Sequence, residues 1–354
     1  MKILHIILTS QNGGAEKVFI DYARILGKVD HQNYAIVKND APYSSEIKNI
    51  TLDCLETSNK LGYFDFVAVD NIKKFIIKNN IEIVIAHAGR AIFLSYKAIN
   101  KIKNRKIILV AVNHSNNIKR SLLADIIVSV NREIFYKTID AKRTPENSFI
   151  LYNGIETKDS AKLKEPIKIS SKSEIVIGFV GRFHNDKGID NLLRAIHIYK
   201  TKYPKKIKLK IAGDGEESKN LKRLVKDLKL ENEVEFLGWV KNIDNFFQQI
   251  DIFVLPSKSE TFGLVILEAM KNHTPIIVTN CDGPREILRP DVDCLMLDLK
   301  AKDPIENQIS NAINKLTNDD ELANNLVKKA FERLESRFSF KVLERNLLDL
   351  FKLK

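Results

Sequence analysis

The chain has 354 residues, 44% of them hydrophobic and 29% charged, with a formal net charge of +12. That composition excludes a disordered or fibrous chain and leaves room for two domains with separate cores. No apolar run reaches the roughly 20 residues that a membrane-spanning helix needs. From the N-terminus, Ile3-Leu4-His5-Ile6-Ile7-Leu8 is too short for the apolar stretch of a signal peptide and reads as a buried strand over 2–8. A glycine turn, Gln11-Asn12-Gly13-Gly14, leads into a helix from about Ala15 to Leu26. Further strands are predicted at 33–37, 82–86, 106–112 and 125–130. Residues 156–173 are rich in Lys, Ser, Thr and Pro and lack periodicity, so the first domain is placed at 1–160 and a linker at 161–173.

The pattern restarts with Glu174-Ile175-Val176-Ile177-Gly178-Phe179-Val180-Gly181. Helix 188–202, strand 207–212, helix 217–229, strand 233–237, helix 242–249, strand 251–255, helix 263–272 and strand 275–279 follow. Residues 306–335 read as two polar-faced helices. The second domain is therefore 174–337, and the amphipathic segment 338–354 is expected to pack back on the first. Strands alternating with helices predict parallel sheets in an α/β architecture, with a ligand at the carboxyl ends of the strands.

The densest chemistry lies in Ser257-Lys258-Ser259-Glu260-Thr261-Phe262-Gly263-Leu264, which runs on through Glu268. A strand ending at Pro256, a polar loop and a glycine-started helix together make an anion site, because first-turn N–H groups and the helix dipole favour negative charge. Glu260 is expected in the loop and Glu268 about two turns into the helix, both able to accept from hydroxyls of one phosphate-bearing ligand. A nucleotide sugar fits that combination. The second signal is Gly181-Arg182-Phe183-His184-Asn185-Asp186-Lys187-Gly188, where a strand runs into a loop with a forked guanidinium and a compact ammonium, two groups suited to one diphosphate.

Together with Gly213-Asp214-Gly215-Glu216 and Phe236-Leu237-Gly238-Trp239-Val240, these motifs resemble glycosyltransferase family 4, retaining enzymes that use nucleotide sugars. The resemblance is densest from about 174 to 297. It implies the GT-B fold, two doubly wound Rossmann-like domains facing a central cleft. It also implies that Arg182 and Lys187 hold the donor diphosphate and stabilise the departing nucleotide. Glu268 is implied at the ribose, and Glu260 at the transferred sugar. Backbone N–H groups of Phe262, Gly263 and Leu264 are implied at sugar hydroxyls and phosphate, and the backbone at Val240 at the nucleobase. In the first domain, Gly14 of the glycine turn is implied at the donor and Gly13 on the acceptor side. His114 matches a histidine that hydrogen-bonds the donor sugar, and His87 a second one near the acceptor. Glu260, His114, Arg182 and Lys187 form the expected catalytic set. No cofactor or metal is expected, since two cations and a helix N-terminus would serve the leaving group. Asn153-Gly154 is taken as structural.

Other features are read as bland. Asp291-Val292-Asp293 is expected to be a surface loop rather than a metal site, Glu286 to cap the following helix, and His5 and His197 to be structural. Three scattered cysteines fit a reduced cytoplasmic compartment. Residues 1–165 carry 25 basic and 17 acidic residues, against 32 and 28 in the remainder. The basic half suits an anionic membrane surface, although a lysine-rich composition alone would produce the same bias. The expected reaction moves a hexose or N-acetylhexosamine, UDP favoured as carrier, to a lipid-linked, lipopolysaccharide or capsule saccharide. The enzyme would lie in the cytoplasm, peripheral to the inner membrane face. Alternatives are another GT-B enzyme (a glycogen-type synthase or a sugar epimerase) or a basic nucleic-acid-binding protein. The last lacks a recognition helix or a basic patch interleaved with exposed aromatics.

Overall fold

The computed structural model describes residues 1–10, 13–29, 31–58, 60–103, 105–141, 144–157 and 166–352. Two compact units result, one from Met1–Asn153 with Leu343–Lys354, the other Gly154–Val342.

The first unit runs β1 (Lys2–Ile7), α1 (Gly14–Leu26), β2 (Gln32–Lys38), α2 (Ser44–Lys48), β3 (Asp53–Thr57), α3 (Phe66–Asn79), β4 (Ile83–His87) and α4 (Ala88–Ile99). β5 (Ile108–Asn113), β6 (Ile126–Ser129), α5 (Arg132–Asp140) and β7 (Ser148–Ile150) complete its N-terminal part. Its seven strands are ordered β3-β2-β1-β4-β5-β6-β7, all parallel. Strands β1, β4 and β6 read as nearly unbroken apolar runs because helices cover both faces. Alternation still sorts the side chains. Leu4, Ile6, Val84, Ala86, Leu109 and Ala111 pack with α3 and α4, whereas Ile7, Ala35 and Val37 pack with α1 and α2. Asp65 caps α3 by accepting the Ala68 N–H, and Asn131 caps α5 through the Ile134 N–H.

The second unit runs β8 (Glu174–Val180), α6 (Ile189–Lys202), β9 (Lys206–Ala212), α7 (Ser218–Asp227), β10 (Val234–Gly238), α8 (Ile243–Phe247), β11 (Ile252–Leu255) and α9 (Leu264–Lys271). β12 (Ile276–Thr279), α10 (Asp282–Ile287), β13 (Leu295–Leu297), α11 (Ile305–Asn318) and α12 (Asp320–Arg333) follow. Its parallel sheet has the order β10-β9-β8-β11-β12-β13. The chain then forms a π-helical turn, Leu334–Phe338, before α13 (Phe340–Lys352). Ile155 pairs with this turn, its N–H donating to the Phe338 carbonyl (3.0 Å) and its carbonyl accepting from Phe340 (2.8 Å). Of the stretch expected as linker, 167–170 is fastened to α12: Ile167 N–H donates to Asn324, and Ile169 and Ser170 N–H donate to Asp320. Residues 161–165 lie outside the described residues.

Both sheets reverse strand order beside their first strand, at β1/β4 and at β8/β11. In open parallel sheets that reversal opens a crevice at the carboxyl ends, since adjacent connections leave on opposite faces.

Candidate functional site

In the second unit, the loops after β8, β9, β11 and β12 are tied into one floor. Gly181 N–H donates to Ala212 O (3.0 Å), Phe183 N–H to Asp214 O (2.9 Å), Lys258 N–H to Asp186 O (2.7 Å) and Gly283 N–H to Glu260 O (2.7 Å). Gly188 is required in this floor: its φ is +64°, and a Cβ there would stand 2.1 Å from the Pro256 carbonyl oxygen. The close approach of these two segments brings Lys187 onto Glu260, with Nζ and Oε2 2.5 Å apart and side chains 19% and 16% exposed. Two residues expected at different parts of a ligand, 73 apart in sequence, are thus partners of one another. Arg182 differs. It is exposed and finds no side-chain partner among the described residues.

Gly263 starts α9 with φ +90°. The N–H groups of Gly263 and Leu264 donate to no group among the described residues, which leaves them available at the dipole's positive end. Phe262 is buried against Phe338 at 6.1 Å, so its side chain anchors the loop. Glu268 corrects the expectation of two turns: α9 begins at Leu264, so this half-buried carboxylate lies just over one turn in, closer to the N–H groups. Val240 sits beyond the end of β10, an edge strand two positions from β8, next to a Trp239 that is 60% exposed.

In the first unit, Gly13 and Gly14 are exposed at the start of α1, while Gln11 and Asn12 of the same turn lie outside the described residues. The buried Glu16 accepts from the Gly13 N–H (3.0 Å) and from the Thr9 hydroxyl. A carboxylate therefore already occupies this helix start, and a second anion there would meet a like charge.

His87 ends β4 and His114 follows β5. Their rings stack at 5.4 Å, with His87 Nδ1 and His114 Nε2 3.1 Å apart. His114 is half-buried. The acceptor-side expectation for His87 needs correcting, because this residue is wholly buried, walled by Phe19 and Tyr22 edges, with Nε2 unpartnered. It supports His114 from beneath and does not face open space. Burial lowers the pKa of His114 to about 4 and holds that of His87 well below the usual histidine range. Both rings are neutral at pH 7, so His114 offers a hydrogen bond rather than a charge. His5, on the same face of β1, completes a buried row, and this clustering was invisible in the sequence.

Two peripheral readings also change. Asp293 is fully buried, gripped in a fork by Arg289 (2.9 and 2.7 Å) and approached by Arg333 (3.6 Å), which makes it a structural anchor rather than part of a surface loop. Glu286 lies in the last turn of α10 instead of capping a following helix. The His197 ring meets the Leu228 carbonyl oxygen at 3.1 Å. Among the described residues, no group of three or more His, Cys, Asp or Glu side chains converges as a metal site would.

Known proteins resemble this chain in sequence and in fold. Residues 159–333 match the family described as glycosyl transferases group 1. The chain is 26% identical over 356 residues to the lipopolysaccharide core biosynthesis glycosyltransferase LpsE of Rhizobium meliloti (strain 1021), covering 99% of this chain and 98% of that protein. It is 33% identical over 182 residues to the O-antigen biosynthesis glycosyltransferase WclY of Escherichia coli, covering 49% and 48%. The crystal structure of Anabaena Alr3699/HepE in complex with UDP and glucose superposes with a TM-score of 0.84 over all of both chains at 20% identity. The apo lipopolysaccharide outer core galactosyltransferase WaaB does so with 0.77 at 19%. At such identities the structures establish the fold, two Rossmann-like domains of the GT-B type.

Proposed function

We propose that this glycosyltransferase, whose residues 159–333 match the glycosyl transferases group 1 family, transfers a hexose or N-acetylhexosamine from a UDP-sugar, with retention, to a saccharide carried on lipid. The supporting observation is the Lys187–Glu260 pair at the β8/β11 reversal, beside unoccupied N–H groups of α9. An incoming diphosphate competes for Lys187 with a stronger charge than one carboxylate. Glu260, released, then accepts from sugar hydroxyls, so donor binding both neutralises phosphate and frees the sugar-holding group. Arg182 adds forked donors to the phosphate, and Glu268 accepts from ribose hydroxyls.

In the step itself the acceptor oxygen bonds to the anomeric carbon as the bond from that carbon to the phosphate oxygen breaks. The acceptor proton passes to the departing phosphate oxygen, and both electrons of the broken bond leave with the nucleotide. Lys187, Arg182 and the α9 N–H groups stabilise that charge. The reaction so drawn uses no metal, and full activity is expected in excess chelator. UDP is preferred because HepE was crystallised with UDP and glucose, and a lipid-carried saccharide because LpsE and WclY are named for lipopolysaccharide core and O-antigen assembly.

A thermal-shift and hydrolysis panel of UDP- and GDP-sugars tests this reading. At saturating donor the midpoint should rise by about 5 °C with UDP-sugars and not with oligonucleotides. Lys187→Ala should remove the shift. If no nucleoside diphosphate sugar stabilises the protein, the reading is wrong.

A further inference from the structure

Among the described residues, four of the five large apolar side chains most open to solvent fall within seven residues of the first unit. Leu61, Phe64, Phe66 and Val67 are 66, 72, 65 and 64% exposed, and Tyr63 is 37% exposed. Such a density is unusual, since exposed apolar residues are ordinarily scattered. The segment is also held in shape. The buried Asp65 carboxylate accepts from the Ala68 N–H (2.9 Å) and the Leu61 N–H (3.4 Å), which fixes the tight turn at Gly62–Phe64 onto the start of α3. The turn therefore holds its apolar tip out in water by construction.

Cations ring this tip. Lys97 Nζ lies 4.6 Å from the Phe93 ring centre and 5.8 Å from that of Phe66, and Arg120 lies 5.0 Å from Tyr63 and 4.7 Å from Phe93. The stretch 83–124 that supplies them contains eight Lys and Arg residues and not one Asp or Glu. Of the carboxylates on the turn and the start of α3, Asp65 is spent on backbone N–H groups and Asp70 is paired with Lys74. Apolar tips that penetrate, backed by ammonium and guanidinium groups at the depth of phosphates, suit an anionic lipid surface. This is a basic patch interleaved with exposed aromatics, which the sequence did not reveal, but a free polyanion would use the cations and leave the aliphatic Leu61 and Val67 in water. No helix among the described residues is long and apolar enough to cross a membrane.

We propose that the Leu61–Val67 knob and the Lys97/Arg120 cations dock this unit on an anionic bilayer. This goes beyond the transfer reaction and does not depend on it. Its position gives it use: Tyr63 Oη lies 3.5 Å from where a Cβ on Gly89 would stand, two residues after His87. The docked face thus adjoins the carboxyl end of β4, where a saccharide presented from a lipid headgroup would arrive.

Co-sedimentation of the full chain with phosphatidylcholine vesicles, with and without phosphatidylglycerol, tests the proposal. Wild type should bind the anionic vesicles at least about tenfold more tightly than the neutral ones, with raised salt weakening but not abolishing the contact. Phe64→Ser/Phe66→Ser should lower anionic-vesicle binding at least about tenfold while the UDP-sugar thermal shift persists. Lys97→Gln/Arg120→Gln should flatten the salt dependence, which keeps the test valid should the first pair fail to fold. Three outcomes would overturn the proposal: no anionic-vesicle binding, equal binding by wild type and both pairs, or lipid-free self-association that Phe64→Ser/Phe66→Ser abolishes. Vesicle binding without any nucleotide-sugar shift would sink the transferase reading alone.

Discussion

Burial decides what the three histidines of the first unit do. His5 and His114 have pKa values lowered to about 4, and His87 lies well below its ordinary range, in each case chiefly because burial disfavours the charged ring. Asn33 offsets only part of this at His5, since its amide N–H goes to the Ala23 carbonyl at 2.7 Å and neither His5 nitrogen has a well-formed hydrogen bond. The folded chain therefore refuses protons that the unfolded chain accepts below its own histidine pKa near 6.5. Stability from these groups is fully present above about pH 6.5 and is lost as pH falls toward about 4. Each contributes a slope of up to about 1.4 kcal/mol per pH unit in that window. Urea denaturation from pH 7.5 to 4.5 should show the decline. His5→Leu should reduce the slope by roughly one proton's worth and stabilise the neutral protein by about 1 kcal/mol, because two unpartnered buried nitrogens disappear. An unchanged slope would mean that His5 already titrates as it does in water.

Most elements of the second unit were legible because they carry strong signals. Strands β8, β9, β11 and β12 are short β-branched runs, and their observed bounds differ from the expected ones by a residue or so. Arg182, Lys187, Glu260 and Glu268 were legible as residue types at fixed distances from strand ends, and all four lie in this unit. Their pairing was not legible, because whether Lys187 meets Glu260 depends on how closely Gly188 approaches Pro256. In the first unit α2, β3, α3, α4, α5 and β7 went unassigned; β3 is a half-buried edge strand, so its apolar pattern is weak. α10 hid behind Asp282-Gly283-Pro284, which reads as a turn, although Pro is tolerated in a helix's first turn, where its missing N–H costs nothing. Asp293 was misread for a different reason: what buries it is partly Arg333, 40 residues on and far outside any local window. Arg289 is 47% exposed and can turn to water, but Arg333 is 14% exposed and loses a charge partner, so Asp293→Ala should destabilise by about 2 kcal/mol. Asp291→Asn, at an exposed position with φ +56° that Asn tolerates, should stay within about 0.5 kcal/mol. Chemical denaturation of the two variants separates an anchor from a surface string.

At the scale of the whole chain, the last helix belongs to the first unit although it follows the second in sequence. α13 presents Leu343, Leu347, Leu350 and Phe351 as one buried stripe at helical spacing, and Glu344 pairs with Lys28 of the first unit at 3.0 Å. Four such side chains are worth at most about 6–12 kcal/mol of burial, comparable with the entire stability of an ordinary domain. Ending the chain after Ser339 should therefore unfold or loosen the first unit, while the second keeps its own sheet, its Lys187–Glu260 pair and the α9 N–H groups. Two measurements on the truncated chain discriminate. Amide exchange should lose protection across β1, β4 and β5 but retain it across β8 and β11. UDP binding, for which the second unit carries the proposed cations, should survive within about tenfold, whereas transfer, for which an intact first unit is proposed, should disappear. Loss of UDP binding together with protection in both sheets would show instead that the two units fold as one cooperative body, and the donor site could then not be assigned to the second unit alone.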